Sequence, residues 1–145
     1  MGRLLDSLPS TDRPIIVDAC TGRAVASSVE LATTRRARRR GLLGRDGLDA
    51  GCAFVLAPCW TVHTIGMRFP IDVVFVDSDG LVLKVVQRMV GWRAAAEWSA
   101  AMAIELWAGA VQAVDLHVGD RVCFAPAFRG SLQSSISHLH APDSP

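Results

Sequence analysis

Ile71-Asp72-Val73-Val74-Phe75-Val76 runs into Asp77-Ser78-Asp79-Gly80, and Leu-Val-Leu-Lys-Val-Val follows at once over residues 81–86. β-Branched and aromatic side chains suit the pleated, packed surface of a strand. Two such runs separated by a short acidic turn ending in glycine read as a β-hairpin. One residue breaks the apolar run. A carboxylate at Asp72 must be solvated, paired or hydrogen-bonded, because burying it bare costs several kcal/mol.

On either side of this hairpin further short elements are expected. Alternation over residues 24–31 suggests a strand. Thr33 and Thr34 are good N-caps for a helix running to about Leu43, with Gly44 as its stop. Cys52–Leu56 is a short apolar strand closed by Ala57-Pro58, and residues 61–67 form a second extended piece interrupted by Gly66. Residues 92–101 are ambiguous between helix and strand. Residues 103–107 read as a strand, 110–116 as a short helix and 121–125 as a last strand. The fold class expected is α+β: a compact, mainly antiparallel sheet curled toward a small barrel, with two short helices.

The chain has 145 residues, half of them hydrophobic and a fifth charged. That fits one domain and excludes an intrinsically disordered chain. Residues 1–14 read as a flexible leader, 15–127 as a single globular domain and 128–145, rich in Ser and Pro, as a mobile tail. Net charge is +1, which argues against a dedicated nucleic-acid binder. No apolar run approaches the roughly 20 residues that cross a bilayer, and the first residues lack the layout of a signal peptide. A soluble, cytoplasmic protein is expected. Its four cysteines, Cys20, Cys52, Cys59 and Cys123, are expected to be reduced and largely buried.

Several segments recur in a familiar order: Gly41-Leu42-Leu43-Gly44-Arg45, Gly51-Cys52-Ala53-Phe54-Val55-Leu56, His63 through Asp77 with Gly80, Ile104-Glu105-Leu106-Trp107-Ala108-Gly109, and Val118-Gly119-Asp120-Arg121-Val122. Together they resemble the bacterial and archaeal family catalogued as domain of unknown function 192, over about residues 24–124. The Pro70-Ile71-Asp72 block is the most specific part. Where many members carry Trp-Met-Lys-Asn-Thr before the proline, this chain has His63-Thr64-Ile65-Gly66-Met67, and it resembles a histidine-bearing subgroup. The resemblance implies a strand-rich single domain and brings no reaction, cofactor or substrate.

Seven residues stand out as a candidate ligand site: His63, Thr64, Asp72, Trp92, Glu105, Arg38 and Arg45. Asp72 is either a ligand contact or general base with a perturbed pKa, or a structural acceptor for backbone N–H groups, and the second reading is preferred. Glu105 stands between Ile104 and Leu106 and points away from both on a strand. It is placed to pair with Arg38 or Arg45, or, if it meets Asp72, to form a carboxylate pair suited to acid–base work. His63 and Thr64 together offer an imidazole and a hydroxyl to a polar ligand. Trp92 and Trp107, if partly exposed, would line an apolar groove beside these polar marks.

Two other readings compete. Cys59 and His63 are four residues apart, about 13 Å on an extended strand, whereas zinc needs its ligand atoms within about 2.0–2.3 Å. No metal and no cofactor are therefore expected. Arg35-Arg36-Ala37-Arg38-Arg39-Arg40 is a basic cluster that could draw phosphate or nucleic acid. It lacks interleaved aromatics, and a solvated cationic helix is the plainer account. No phosphate-binding, nucleophile-elbow or dinucleotide motif occurs in the chain.

The function expected is therefore a non-catalytic accessory domain that binds an unidentified small ligand, peptide or protein partner, away from membranes. A small enzyme using Asp72, Glu105 and His63 is the alternative. Phosphate or nucleic-acid binding through residues 35–40 is a second alternative.

Overall fold

The computed structural model describes residues 3–9 and 14–127. The hairpin is its centre. Strand β6 (Ile71–Val76) pairs antiparallel with β7 (Val82–Met89) on one edge and with β9 (Met102–Trp107) on the other. Beyond β9 lie β4 (Cys52–Leu56), antiparallel, and β3 (Ser28–Ala32), parallel to β4. The sheet order is β3-β4-β9-β6-β7. All six residues of β6 are buried. A strand covered on both faces has no reason to alternate, which is why 71–76 reads as a continuous apolar run.

The two faces carry different loads. Val74, Val76, Ile104, Leu106, Ala53 and Val55 join one core cluster with residues of a second sheet. That sheet is β10-β1-β2, made of β1 (Pro14–Asp18), β2 (Ala24–Ala26) and β10 (Val122–Pro126). Val73, Phe75, Ala103, Phe54 and Leu56 join a separate cluster on the other face. Over that face sit helix α2 (Arg35–Arg40) and a two-stranded ribbon of β5 (Thr61–His63) and β8 (Ala94–Ala96). The α+β class and its antiparallel bias hold. Among the described residues the strands form three sheets and no closed barrel.

Local expectations are corrected in places. The strand expected over 24–31 breaks at Ser27 into β2 and β3. The helix expected to reach Leu43 stops at Arg40: Thr34 caps its start by accepting from the Ala37 N–H, and Gly41, at positive φ, ends it. The ambiguous 92–101 segment contributes a strand, because Ala94–Ala96 pairs with β5 despite the helix propensity of alanine. The extended piece 61–67 keeps only three strand residues. There are three short helices among the described residues, the others being α1 (Arg3–Asp6) and α3 (Ala110–Ala113).

Part of the segment expected to be a loose leader is docked. Leu4 is buried in the first core cluster, Leu5 and Leu8 pack against it, and the Leu4 N–H donates to the Ser78 carbonyl at 2.9 Å. The tail expected over 128–145, with His138 and His140, lies outside the described residues. The cysteines are free, as expected, but less buried: Cys20 is exposed and the other three are half-buried.

Asp72 is the polar centre of this architecture. The β6–β7 register shifts between Ile71 and Val73, and Arg88 opposite takes a positive φ of 51°. Its N–H leaves the ladder and donates to Asp72 Oδ1 at 2.8 Å. Oδ2 accepts from the N–H groups of Gly109 at 3.1 Å and Val111 at 3.0 Å, at the start of α3. One carboxylate thus fastens a β-bulge to a helix. Asp72→Ala would strand three backbone donors, a loss we expect to cost about 3–5 kcal/mol in urea unfolding. Asp72→Asn keeps a carbonyl acceptor and should lose less. An alanine variant within about 0.5 kcal/mol of the parent would contradict this account.

Candidate functional site

Parity along β9 decides where Glu105 points. Its ladder partners are Phe54 on β4 and Val73 on β6, so all three share the face beneath α2. Asp72 pairs with Leu106 and faces the other way. The two carboxylates expected to meet are on opposite sides of one sheet, and an acid–base pair of Asp72 and Glu105 is ruled out.

Glu105 is 4 % exposed. Its Oε2 is fully buried with no hydrogen-bond partner among the described residues. The expected pairing with Arg38 or Arg45 is absent, for reasons visible in each arginine. Arg38 donates from one nitrogen to the carbonyls of Thr33 at 2.6 Å and Ala57 at 3.3 Å, tying α2 to the end of β4. Arg45 donates to both carboxylate oxygens of Glu30, at 2.8 and 2.9 Å, and its guanidinium lies 5.3 Å from the centre of the Phe54 ring. Burial raises the Glu105 pKa from its ordinary 4.5 to about 7, with the Arg45 charge acting in the opposite sense.

Above Glu105 opens a cleft of about 420 Å³ between α2 and the segment leading into β5. Glu105 lies against its floor with Leu42 and Leu56. Arg35, Arg39 and Arg40 line it from the helix, and Trp60 and His63 line it from the other side. Trp60 is stacked on Trp98 with ring centroids 4.4 Å apart. His63 is exposed and Arg38 is half-buried. Cys59 also borders the cleft; burial raises its thiol pKa, and its Sγ donates to the Thr61 carbonyl at 2.9 Å.

Of the seven candidates, the structure brings Arg38, His63 and Glu105 to one cleft. Arg45 borders a second hollow on the far side of α2. Thr64 is completely buried: its hydroxyl donates to the Val90 carbonyl at 2.6 Å and accepts from the Arg93 N–H at 3.0 Å, pinning the 90–93 loop. Asp72 is occupied by three backbone donors. Trp92 is 70 % exposed and does not line the cleft. Trp107 is half-buried and packs against the core of the opposite face. Trp60 and the rim arginines also belong to the cleft, although the sequence singles out no role for Trp60 and reads the arginines as a solvated helix. Only the Arg cluster carried a usable signal, because its six positions must surround a helix and some of them must face inward.

Among the described residues, no group of three or more His, Cys, Asp or Glu is placed to hold a metal. No helix among them is long and apolar enough to cross a membrane.

Comparison with known proteins agrees with this architecture. The model of the family DUF192, described as an uncharacterized ACR, matches residues 17–124, and the chain belongs to that family. No curated protein matches it. A solved structure from Sinorhizobium meliloti 1021, provisionally described as a transcription regulator, is similar with a TM-score of 0.68 and 24% identity, covering 77% of this chain and 92% of that one. A protein of unknown function from Novosphingobium aromaticivorans DSM 12444 is similar with a TM-score of 0.61 and 19% identity, covering 79% and 89%. At these identities the likeness concerns the fold alone.

The buried acid has a pH signature. The folded chain keeps the Glu105 proton to about pH 7, whereas the unfolded chain releases it near 4.5. The associated stability is complete below the lower value and is lost as pH rises through the upper one. Glu105→Gln removes that dependence. Relative to the parent, the variant should gain roughly 2–3 kcal/mol between about pH 4 and pH 8 in denaturant unfolding. Parallel pH profiles for the two proteins would refute the assignment.

Proposed function

We propose that this domain binds a small ligand in the cleft beneath α2 and does not transform it. The observation that carries the reading is Glu105: a nearly buried carboxyl, one oxygen without a hydrogen-bond partner, at the floor of an open cleft. A buried polar atom left bare is costly and calls for an account. A ligand group that completes its bonding supplies one. The cleft mixes apolar side chains with four arginines, His63 and Glu105, and its size is near the lower end of the usual ~300–1,000 Å³.

The arginines of α2 are better placed for this task than for gripping a nucleic-acid backbone. Arg38 is committed to backbone carbonyls, and Glu105 lies beneath its neighbours. Four free cysteines, with Cys20 exposed, suit a reducing compartment such as the cytoplasm.

The test is a small-molecule screen by protein-observed NMR and thermal shift on the full chain. Binders should perturb the amides of Trp60, His63 and Glu105 first. A ligand at a hundred times its Kd should raise stability by about 2.7 kcal/mol. His63→Ala should weaken such binders while the fold is kept. Hits that cluster elsewhere on the surface, or a screen without hits, would overturn the reading.

A further inference from the structure

The cleft holds two unmet demands of opposite sign at different depths. At the floor, the Glu105 carboxyl has no hydrogen-bond donor among the described residues. Along the helix wall, Arg35, Arg39 and Arg40 are exposed cations with no ion-pair or hydrogen-bond partner among the described residues. The two cations best placed to reach Glu105 are spent elsewhere, Arg38 on the Thr33 and Ala57 carbonyls and Arg45 on Glu30. Leu42, Leu56 and Met67 add an apolar strip to the lining, with Trp60 also bordering the cleft.

Resting on the reading of the cleft as a ligand site, we infer that its occupant is a small zwitterion of the amino-acid type. Its ammonium group reaches Glu105 and its acidic group meets the arginines of α2. A purely anionic ligand would satisfy the wall and leave the Glu105 carboxyl without a partner. A purely cationic one would have to pass a row of like charges. An ammonium on Glu105 forms a charge-assisted hydrogen bond, among the stronger polar contacts available. A carboxylate against guanidinium groups gains the same advantage with geometric selectivity. The apolar strip takes a hydrocarbon side chain.

This arrangement couples binding to a proton. An ammonium placed on Glu105 favours the charged carboxylate, so the ligand expels the proton that burial retains. The groups facing Glu105 are the arginines of α2, Cys59, His63 on β5 and Arg45 beside Phe54. His63 carries the imidazole of this set, and its contribution is separated by substitution.

The experiment titrates the full chain with each of the twenty standard amino acids at millimolar concentration, by calorimetry and by amide NMR. The best binder is then compared with its deaminated and its decarboxylated analogues. We expect saturable binding at the cleft and at least a roughly tenfold loss of affinity on removing either charged group. At about pH 6.5, calorimetry in buffers of different ionisation enthalpy should show a proton released on binding. Glu105→Gln should abolish that release and weaken binding about tenfold; His63→Gln should leave the release in place. If the deaminated analogue binds the cleft as well as its parent, or binding takes up a proton, the zwitterion is overturned while the cleft remains a ligand site. If no amino acid binds, the zwitterion is likewise overturned, and the wider screen described above decides the fate of the cleft.

Discussion

The fold turns on one carboxylate. Asp72 sits in an inner strand buried on both faces, where a charge is tolerated only if the chain surrounds it with donors. The chain does so with three backbone N–H groups from two elements far apart in sequence, the bulge at Arg88 and the turn into α3. The bulge therefore has a cause: it frees an N–H that the ladder would otherwise use. Helix α3 has only four residues, too short to persist unsupported. Its first N–H groups are held by Asp72 instead of by a capping side chain. The left-handed conformation of Gly109, with φ at 100°, lets the backbone turn in under Trp107, whose ring lies close to where a Cβ would stand.

With the centre fixed, the sheet divides the molecule into two compartments of different character. One face closes on the β10-β1-β2 sheet and is largely apolar. The other is covered incompletely, by a six-residue helix and a ribbon of two three-residue strands. Incomplete cover is what creates the cleft, and the parity of β9 is what places Glu105 in it. The same strand thus sends Ile104 and Leu106 into sealed core and Glu105 toward an opening. The family to which the chain belongs is defined over the segments that build this scaffold, since the match spans residues 17–124.

Much of the scaffold was legible in the sequence. The hairpin, the strand at 52–56 and the cap at Thr34 follow from local chemistry, and local chemistry is what a single sequence expresses. The failures are of another kind. Ala94-Ala95-Ala96 favours a helix and becomes a strand because β5 supplies a ladder, an influence from thirty residues away. The helix through Leu43 was overrun because Gly41 precedes Gly44, and the earlier glycine stops it. Of the polar residues singled out, Asp72 was expected to be held by backbone N–H groups, whereas Thr64 was expected to offer its hydroxyl to a ligand and is spent within the fold instead. Their partners are backbone groups, which leave no trace in side-chain patterns. The alternation of β9 already set Glu105 against Ile104 and Leu106. Its separation from Asp72 was not legible, because opposite facing depends on a register between two strands that sequence does not print.

The stacked indoles of Trp60 and Trp98 have a practical consequence. One partner borders the cleft and the other is 78 % exposed, at a separation of 4.4 Å. Neighbouring chromophores so close share their excited states, and the emission of one responds to the polarity around it. The molecule accordingly carries a native optical gauge at the mouth of its hollow. Intrinsic fluorescence and near-ultraviolet dichroism can follow what enters there without dye, label or engineered probe.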